Sequence, residues 1–221
     1  MCNLYTASKS VAEVAALFRA QVPLPFNTPG DILPGMPGMV VREEAGQRIL
    51  QSMVWGFPLR LKFMKPESKP KPVNNIADLR KPMWIGLARK SEWRCLIPAT
   101  GFCEAEGPKG SKTRTWFGVR DQPLFAWAGL WRKSVEWGDV YSGVMTECNE
   151  AVRPVHNRMP VLLHAEDHEQ WLHGSFDDIV ALQDRCFPDE LITMDRTAEL
   201  WVKRRLDRPS PGSEISDIRS S

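Results

Sequence analysis

Tyrosine is scarce, with two residues in 221, and no apolar run is long enough to span a membrane as a helix, which takes ~20 residues. The CxxC and HExxH spacings are missing. His164, His168 and His173 share one short region without a zinc-type pattern, so no metal and no cofactor are expected. A glycine-rich phosphate loop is also absent. The formal net charge is only +2, which excludes a strongly basic nucleic-acid module. Any nucleic-acid binding must then rest on a local patch and weaken with salt. The five cysteines are odd in number and widely spaced, and no secretory leader is recognisable. That pattern predicts free thiols and a cytoplasmic, reducing location.

What is present is ordinary globular composition, 43% hydrophobic and 25% charged, enough to bury a core. Nine tryptophans predict core packing, with stacking on bases or sugars as the alternative. Residues 2–6 read as a short strand. Ser10 and Glu13 form a capping box ahead of a helix over 11–20. The stretch VPLPFNTPGDILPGMPG reads as irregular loop. Strands at 38–43 and 48–55 flank EEAGQ, a predicted hairpin turn. Further strands are predicted at 95–99, 114–120, 124–131, 139–146, 159–164 and 191–195, and helices at 76–82, 165–173 and 176–184. Strands outnumber helices without alternating with them. This predicts an α+β fold with a mixed, largely antiparallel sheet and peripheral helices. Residues 1–205 are expected to form one domain, and the polar stretch 206–221 a disordered tail.

The chemistry starts at the opening MCNLY. Removal of Met1 would leave Cys2 with an amine and a thiol on adjacent carbons. Their reference pKa values, about 8 and about 8.5, keep both partly nucleophilic near neutrality. An aldehyde would condense with the amine to an imine, and the thiol could close a five-membered thiazolidine. Alternatively the thiolate could serve in acyl transfer. Three stretches offer partners. PVNNIADL (72–79) carries Asn74 and Asn75, turn formers or amide donors and acceptors. RCLIPATGFCEAE (94–106) places Glu104 after an apolar run, where a carboxylate is costly unless paired or functional. RPVHNRMPVLL (153–163) sets His156 between Arg153 and Arg158, whose charges would resist its protonation. The proline-rich PLRLKFMKPESKPKP (58–72) is basic, and reads as a solvated loop or a wall that tracks phosphates.

Taken together, the chain resembles the SRAP family of SOS response-associated peptidases, also called abasic-site processing proteins. The resemblance is carried, in order, by MCNLY, WGF (55–57), the NI of NNIADL (75–76), RCLIPATGFCE (94–104), FAWAGLW (125–131) and VHNRMPVLL (155–163). It implies a β-barrel-like sheet and an enzyme that loses Met1 by a peptidase-like step. It further implies that Cys2 forms a thiazolidine crosslink to abasic sites in single-stranded DNA as part of the DNA damage response, with lyase chemistry through the same imine. The catalytic residues it implies are Cys2, Asn75, Glu104 and His156, with Asn75 preferred to Asn74. The expected state is a monomer with no membrane association, cytoplasmic and joining the nucleoid when bound to damaged DNA.

The chain departs from the family pattern at four positions. Leu4 and Ala77 stand where arginines are usual, and Cys103 and Ala105 where aromatics flank the glutamate. Arg60, Lys62, Lys65, Arg153 and Arg158 are the expected substitutes for phosphate binding. Two other readings remain open at this point: a cysteine hydrolase with Cys2 as nucleophile, and a non-catalytic single-strand-binding module.

Overall fold

The computed structural model describes residues 2–60, 63–65 and 67–201. The expected tail at 206–221, and Lys62, lie outside them. Chain order begins with strand β1 (Tyr5–Thr6), helix α1 (Val11–Phe18), β2 (Asp31–Ile32), β3 (Pro37–Glu44), β4 (Gln47–Trp55), β5 (Phe57–Leu59), β6 (Lys71–Val73) and β7 (Asn75–Ile76). Next come α2 (Pro82–Ala88), β8 (Arg94–Ala99), β9 (Gly101–Glu106), β10 (Thr113–Val119), β11 (Phe125–Ser134) and β12 (Gly138–Glu147). The chain closes with β13 (Arg158–Pro160), β14 (Leu162–Leu163), α3 (Asp167–His173), α4 (Phe176–Asp184) and β15 (Ile192–Leu200).

The fold is α+β, dominated by antiparallel pairs. Strands β12, β4, β3, β8 and β11 close into a ring, because β11 pairs with β12 as well as with β8. The β12–β4 contact is parallel, and β13, β14 and β7 attach outside the circuit, so this is a sheet ring and not a regular barrel. A second sheet runs β15-β10-β9-β1-β2, all antiparallel.

Local chemistry explains most boundaries. Ser10 and Glu13 make the reciprocal capping box, and α1 stops at Phe18 because Arg19 turns left-handed. The β3–β4 turn is Ala45-Gly46, both with positive φ (50° and 76°), the twist a two-residue hairpin requires. The helix expected at 76–82 is not formed. Asn75 and Ile76 instead pair in parallel with Gly143 and Val144, and the helix begins at Pro82. Proline is favoured in a first turn, where its missing N–H costs nothing.

The core settles the tryptophan question. Trp55, Trp127 and Trp171 are fully buried, and none of the nine is exposed. Trp55 and Trp127 pack edge-on to each other and to Tyr5, at 5.1–5.9 Å between centroids. Tyr5, from the second sheet, hydrogen-bonds Tyr141 of the ring, so this aromatic cluster joins the two sheets. Gly143 is required there: a Cβ would sit inside the Trp127 ring.

Candidate active site

Two sheet edges and a turn deliver the residues singled out in the sequence. Tyr5 lies opposite Phe102, and the Cys103 N–H donates to the Leu4 carbonyl at 2.9 Å. This pairing leads the start of the chain along β9, past Glu104. On the other side, both asparagines hold the Cys2 carbonyl. Asn75 Nδ2 donates at 2.7 Å and Asn74 Nδ2 at 3.0 Å. Asn74 is itself fixed through its own carbonyl, which accepts from Trp55 Nε1 (3.0 Å) and the Gly143 N–H (3.1 Å). Asn75 is the buried member, 8% exposed, and among the described residues no donor reaches its Oδ1. The expected choice of Asn75 over Asn74 therefore resolves into two contacts on one atom.

Cys2 is fully buried. Burial raises its thiol pKa well above the ordinary value, and the nearby Glu104 charge raises it further. Glu104, expected just after an apolar run, lies inside β9, opposite Thr115. It is 4% exposed, and burial pushes its carboxyl up to about 7, with the charges of the chain terminus and Lys112 pulling the other way. A carboxyl poised near neutral pH can both give and take a proton.

His156 ends a tight turn built on Asn149. The Asn149 Oδ1 accepts the Val152 N–H at 3.1 Å, and the Val152 carbonyl accepts the His156 N–H at 3.1 Å. The imidazole Nδ1 accepts the Arg158 N–H at 3.0 Å and lies 3.1 Å from the Arg158 carbonyl. The backbone N–H and carbonyl of one residue can thus serve the neutral and the protonated ring respectively. Its pKa is lowered first by burial, then by the chain terminus, Arg158 and Lys112. The direction is the one the flanking arginines predict, but burial leads. The terminus and Lys112 act on Glu104 and His156 alike, so these groups share one electrostatic neighbourhood. Lys112, in the turn between β9 and β10, escaped the sequence reading because only the hairpin folds it toward the site.

The basic residues divide. Arg60 faces Glu136 at 3.8 Å and donates to the Ser68 carbonyl, in the loop between the paired strands β5 and β6. Arg153 is paired with Glu150 at 2.8 Å. Arg158 points inward, donating to the Ala77 and Met145 carbonyls. The basic loop also carries Phe63, 84% exposed, an aromatic that sequence reasoning passed over. A cleft of about 870 Å³, lined by Phe18, Arg48, His168 and Glu169 among others, includes none of these residues. Among the described residues no three His, Cys, Asp or Glu side chains gather as a metal site, and no helix is long and apolar enough to cross a membrane.

The match to known proteins runs almost the whole length of this architecture. The family model described as SOS response associated peptidase (SRAP) covers residues 1–197. The chain belongs to the SRAP family. Among SRAP relatives, the abasic site processing protein YoqW of Bacillus subtilis is 24% identical over 210 residues, covering 88% of this chain and 90% of YoqW. YobE of the same organism, also named an abasic site processing protein, is 22% identical over 213 residues, covering 88% of this chain and 92% of YobE. YoaM, named likewise, is 41% identical over 109 residues, which is 46% of this chain and 47% of YoaM. Two crystal structures share the fold. One, from Bacteroides thetaiotaomicron, has a TM-score of 0.74 at 20% identity, covering 88% of this chain and 91% of its own. The other, from Bordetella bronchiseptica, has a TM-score of 0.73 at 21% identity, covering 89% and 99%.

Proposed function

We propose that this SRAP protein processes abasic sites in single-stranded DNA by covalent capture. After Met1 is removed, the Cys2 amine attacks the ring-opened C1′ aldehyde and water leaves, giving an imine. The Cys2 Sγ then adds to the imine carbon, its proton passes to the nitrogen, and a thiazolidine closes. The observation that carries this reading is the joint placement of Cys2 and Glu104. The first residue of the mature chain is clamped by two asparagine amides beside a buried carboxyl that titrates near 7. Glu104 would protonate the departing water and accept the thiol proton; His156 would assist ring opening at the sugar oxygen. Asn75 Oδ1 offers an acceptor to the amine or a sugar hydroxyl.

The raised Cys2 pKa favours this route over a hydrolase. An enzyme that attacks through a resting thiolate needs the thiol pKa lowered, and burial moves it the other way. The amine-first route asks for a thiolate only after the imine has formed beside it. The test is incubation with a single-stranded oligonucleotide holding one abasic site, followed by denaturing electrophoresis. A heat-stable, slower band is expected. Its absence, with an unblocked Cys2 terminus verified by intact mass, rejects the reading.

For DNA binding, we propose that the loop between β5 and β6 stacks one base on Phe63 and holds phosphates with Arg60 and Lys65, aided by Arg153. Exposed aromatics set among cations suit single strands, with stacking worth about 1–3 kcal/mol per base. Phe63→Ala is expected to weaken single-strand binding by that amount in fluorescence anisotropy. Charge reversal at Arg60, Lys65 and Arg153 together should flatten the salt dependence by about 2 in log–log slope. An unchanged slope would remove this surface from the DNA path.

A further inference from the structure

Arg158 entered as a candidate phosphate contact, yet its guanidinium turns inward. Its Nη2 donates to the Ala77 carbonyl at 2.5 Å and to the Met145 carbonyl at 3.2 Å. Gln183, from α4, does the same with its Nε2: 2.9 Å to Met145 O and 3.2 Å to Ala77 O. Two donors are shared by two carbonyls in a closed square. Gln183 is 3% exposed and also accepts the Leu79 N–H on Oε1 at 3.1 Å, so its amide is oriented from both ends.

The sheet explains why such a clamp is needed. Strand β7 pairs with β12 through only two residues, Asn75 with Gly143 and Ile76 with Val144. Beyond Ile76 the ladder ends, and the Ala77 carbonyl has no strand partner. Met145 lies opposite Pro160, while Val144, one residue earlier, accepts the Val161 N–H at 2.9 Å. Alternation in an antiparallel pair then turns the Met145 carbonyl away from β13, toward the end of β7. Without these two side chains, two adjacent carbonyls would face each other with no protein donor. Arg158 and Gln183 satisfy both and thereby pin a two-residue strand that cannot hold itself.

We propose that Arg158 and Gln183 are positioning residues that set Asn75 and His156 relative to each other. Arg158 reaches both sides of the site. Its side chain fixes the strand of Asn75 through Ala77, and its backbone N–H fixes the His156 ring. Gln183 supplies the second donor from a helix far along the chain. The inference rests on the capture reading for what the site does, but the geometry it describes can be tested apart from that reading.

The experiment uses the full chain, with Arg158→Lys and Gln183→Met. Methionine keeps the volume of the glutamine and removes the amide. Three quantities are read: crosslinking rate at saturating abasic DNA, affinity and salt slope for undamaged single strands, and the NMR signals of the Asn75 side-chain amide and the His156 ring. Positioning predicts a 10- to 100-fold slower saturating rate in either variant, with affinity and slope unchanged, and displaced or broadened Asn75 signals. The two losses should combine to less than their product, because the donors share acceptors. In a third variant that removes the charge, Arg158→Met, a salt slope lower by about 0.7 at an unchanged saturating rate would instead make Arg158 a phosphate contact and overturn the proposal. Unmoved Asn75 and His156 signals would overturn it too. If the wild-type protein forms no crosslink, the capture reading fails, and the NMR comparison alone still decides the positioning claim.

Discussion

Cys2→Ala, with Met1 removed as verified by mass, is expected to form no heat-stable DNA crosslink at all. The variant keeps a terminal amine clamped through its carbonyl by Asn74 and Asn75, so the imine step survives. Ring closure does not, because no sulfur is present to add to the imine carbon. Borohydride should therefore trap a reduced amine adduct with the alanine variant, which is invisible without the reductant. Acetylation of the wild-type terminus should remove both the trapped and the spontaneous adduct. These outcomes separate the capture reading from its rivals. A hydrolase would lose activity with the thiol yet tolerate a blocked amine if another base served. A passive binder would keep its function in Cys2→Ala. A spontaneous stable crosslink from Cys2→Ala would reject thiazolidine chemistry.

Glu104→Gln is expected to slow capture by about two to four orders of magnitude, the usual worth of a positioned acid–base group. It should also make the protein more stable at alkaline pH. The sign follows from burial. The folded carboxyl titrates at about 7, above the ordinary value of 4.5. The stability advantage of the protonated form is complete below pH 4.5 and is lost as pH rises through 7. Above pH 7 the wild type carries a buried negative charge at a cost of about 3 kcal/mol, which glutamine does not carry. Thermal melts at pH 5 and pH 8 check this: the variant's gain should be present at pH 8 and small at pH 5. The wild-type rate profile should show a limb near pH 7 that the variant lacks. A variant less stable than wild type at pH 8 would mean that the Glu104 carboxylate is held by favourable contacts that outweigh its desolvation.

Much of the scaffold was legible because its signals are local. The capping box at Ser10 and Glu13, the Ala45-Gly46 turn and the α4 helix beginning after Ser175 each depend on residues within a few positions. Errors arose where partners are distant. The 76–82 segment looked helical from its own residues, but pairing of Asn75–Ile76 with β12 decided it, with Pro82 marking the true helix start. Strand β9 was not among the predicted strands. Its pairing with β1 and β10 supplies the reason for a strand. Phe63, Lys112 and Gln183 gave no signal in their own neighbourhoods.

The sequence by itself determined the functional groups: a cysteine next to the initiator, adjacent asparagines, a glutamate after an apolar run and a histidine among arginines. These are matters of covalent chemistry and order, which a chain carries unfolded. Only the tertiary structure decided how those groups behave. It buried Glu104 until its proton became exchangeable near neutrality, set both asparagines on one carbonyl and turned Arg158 inward. Desolvation and hydrogen-bond geometry are properties of neighbours brought together across some seventy to a hundred residues of chain, and no local pattern records them.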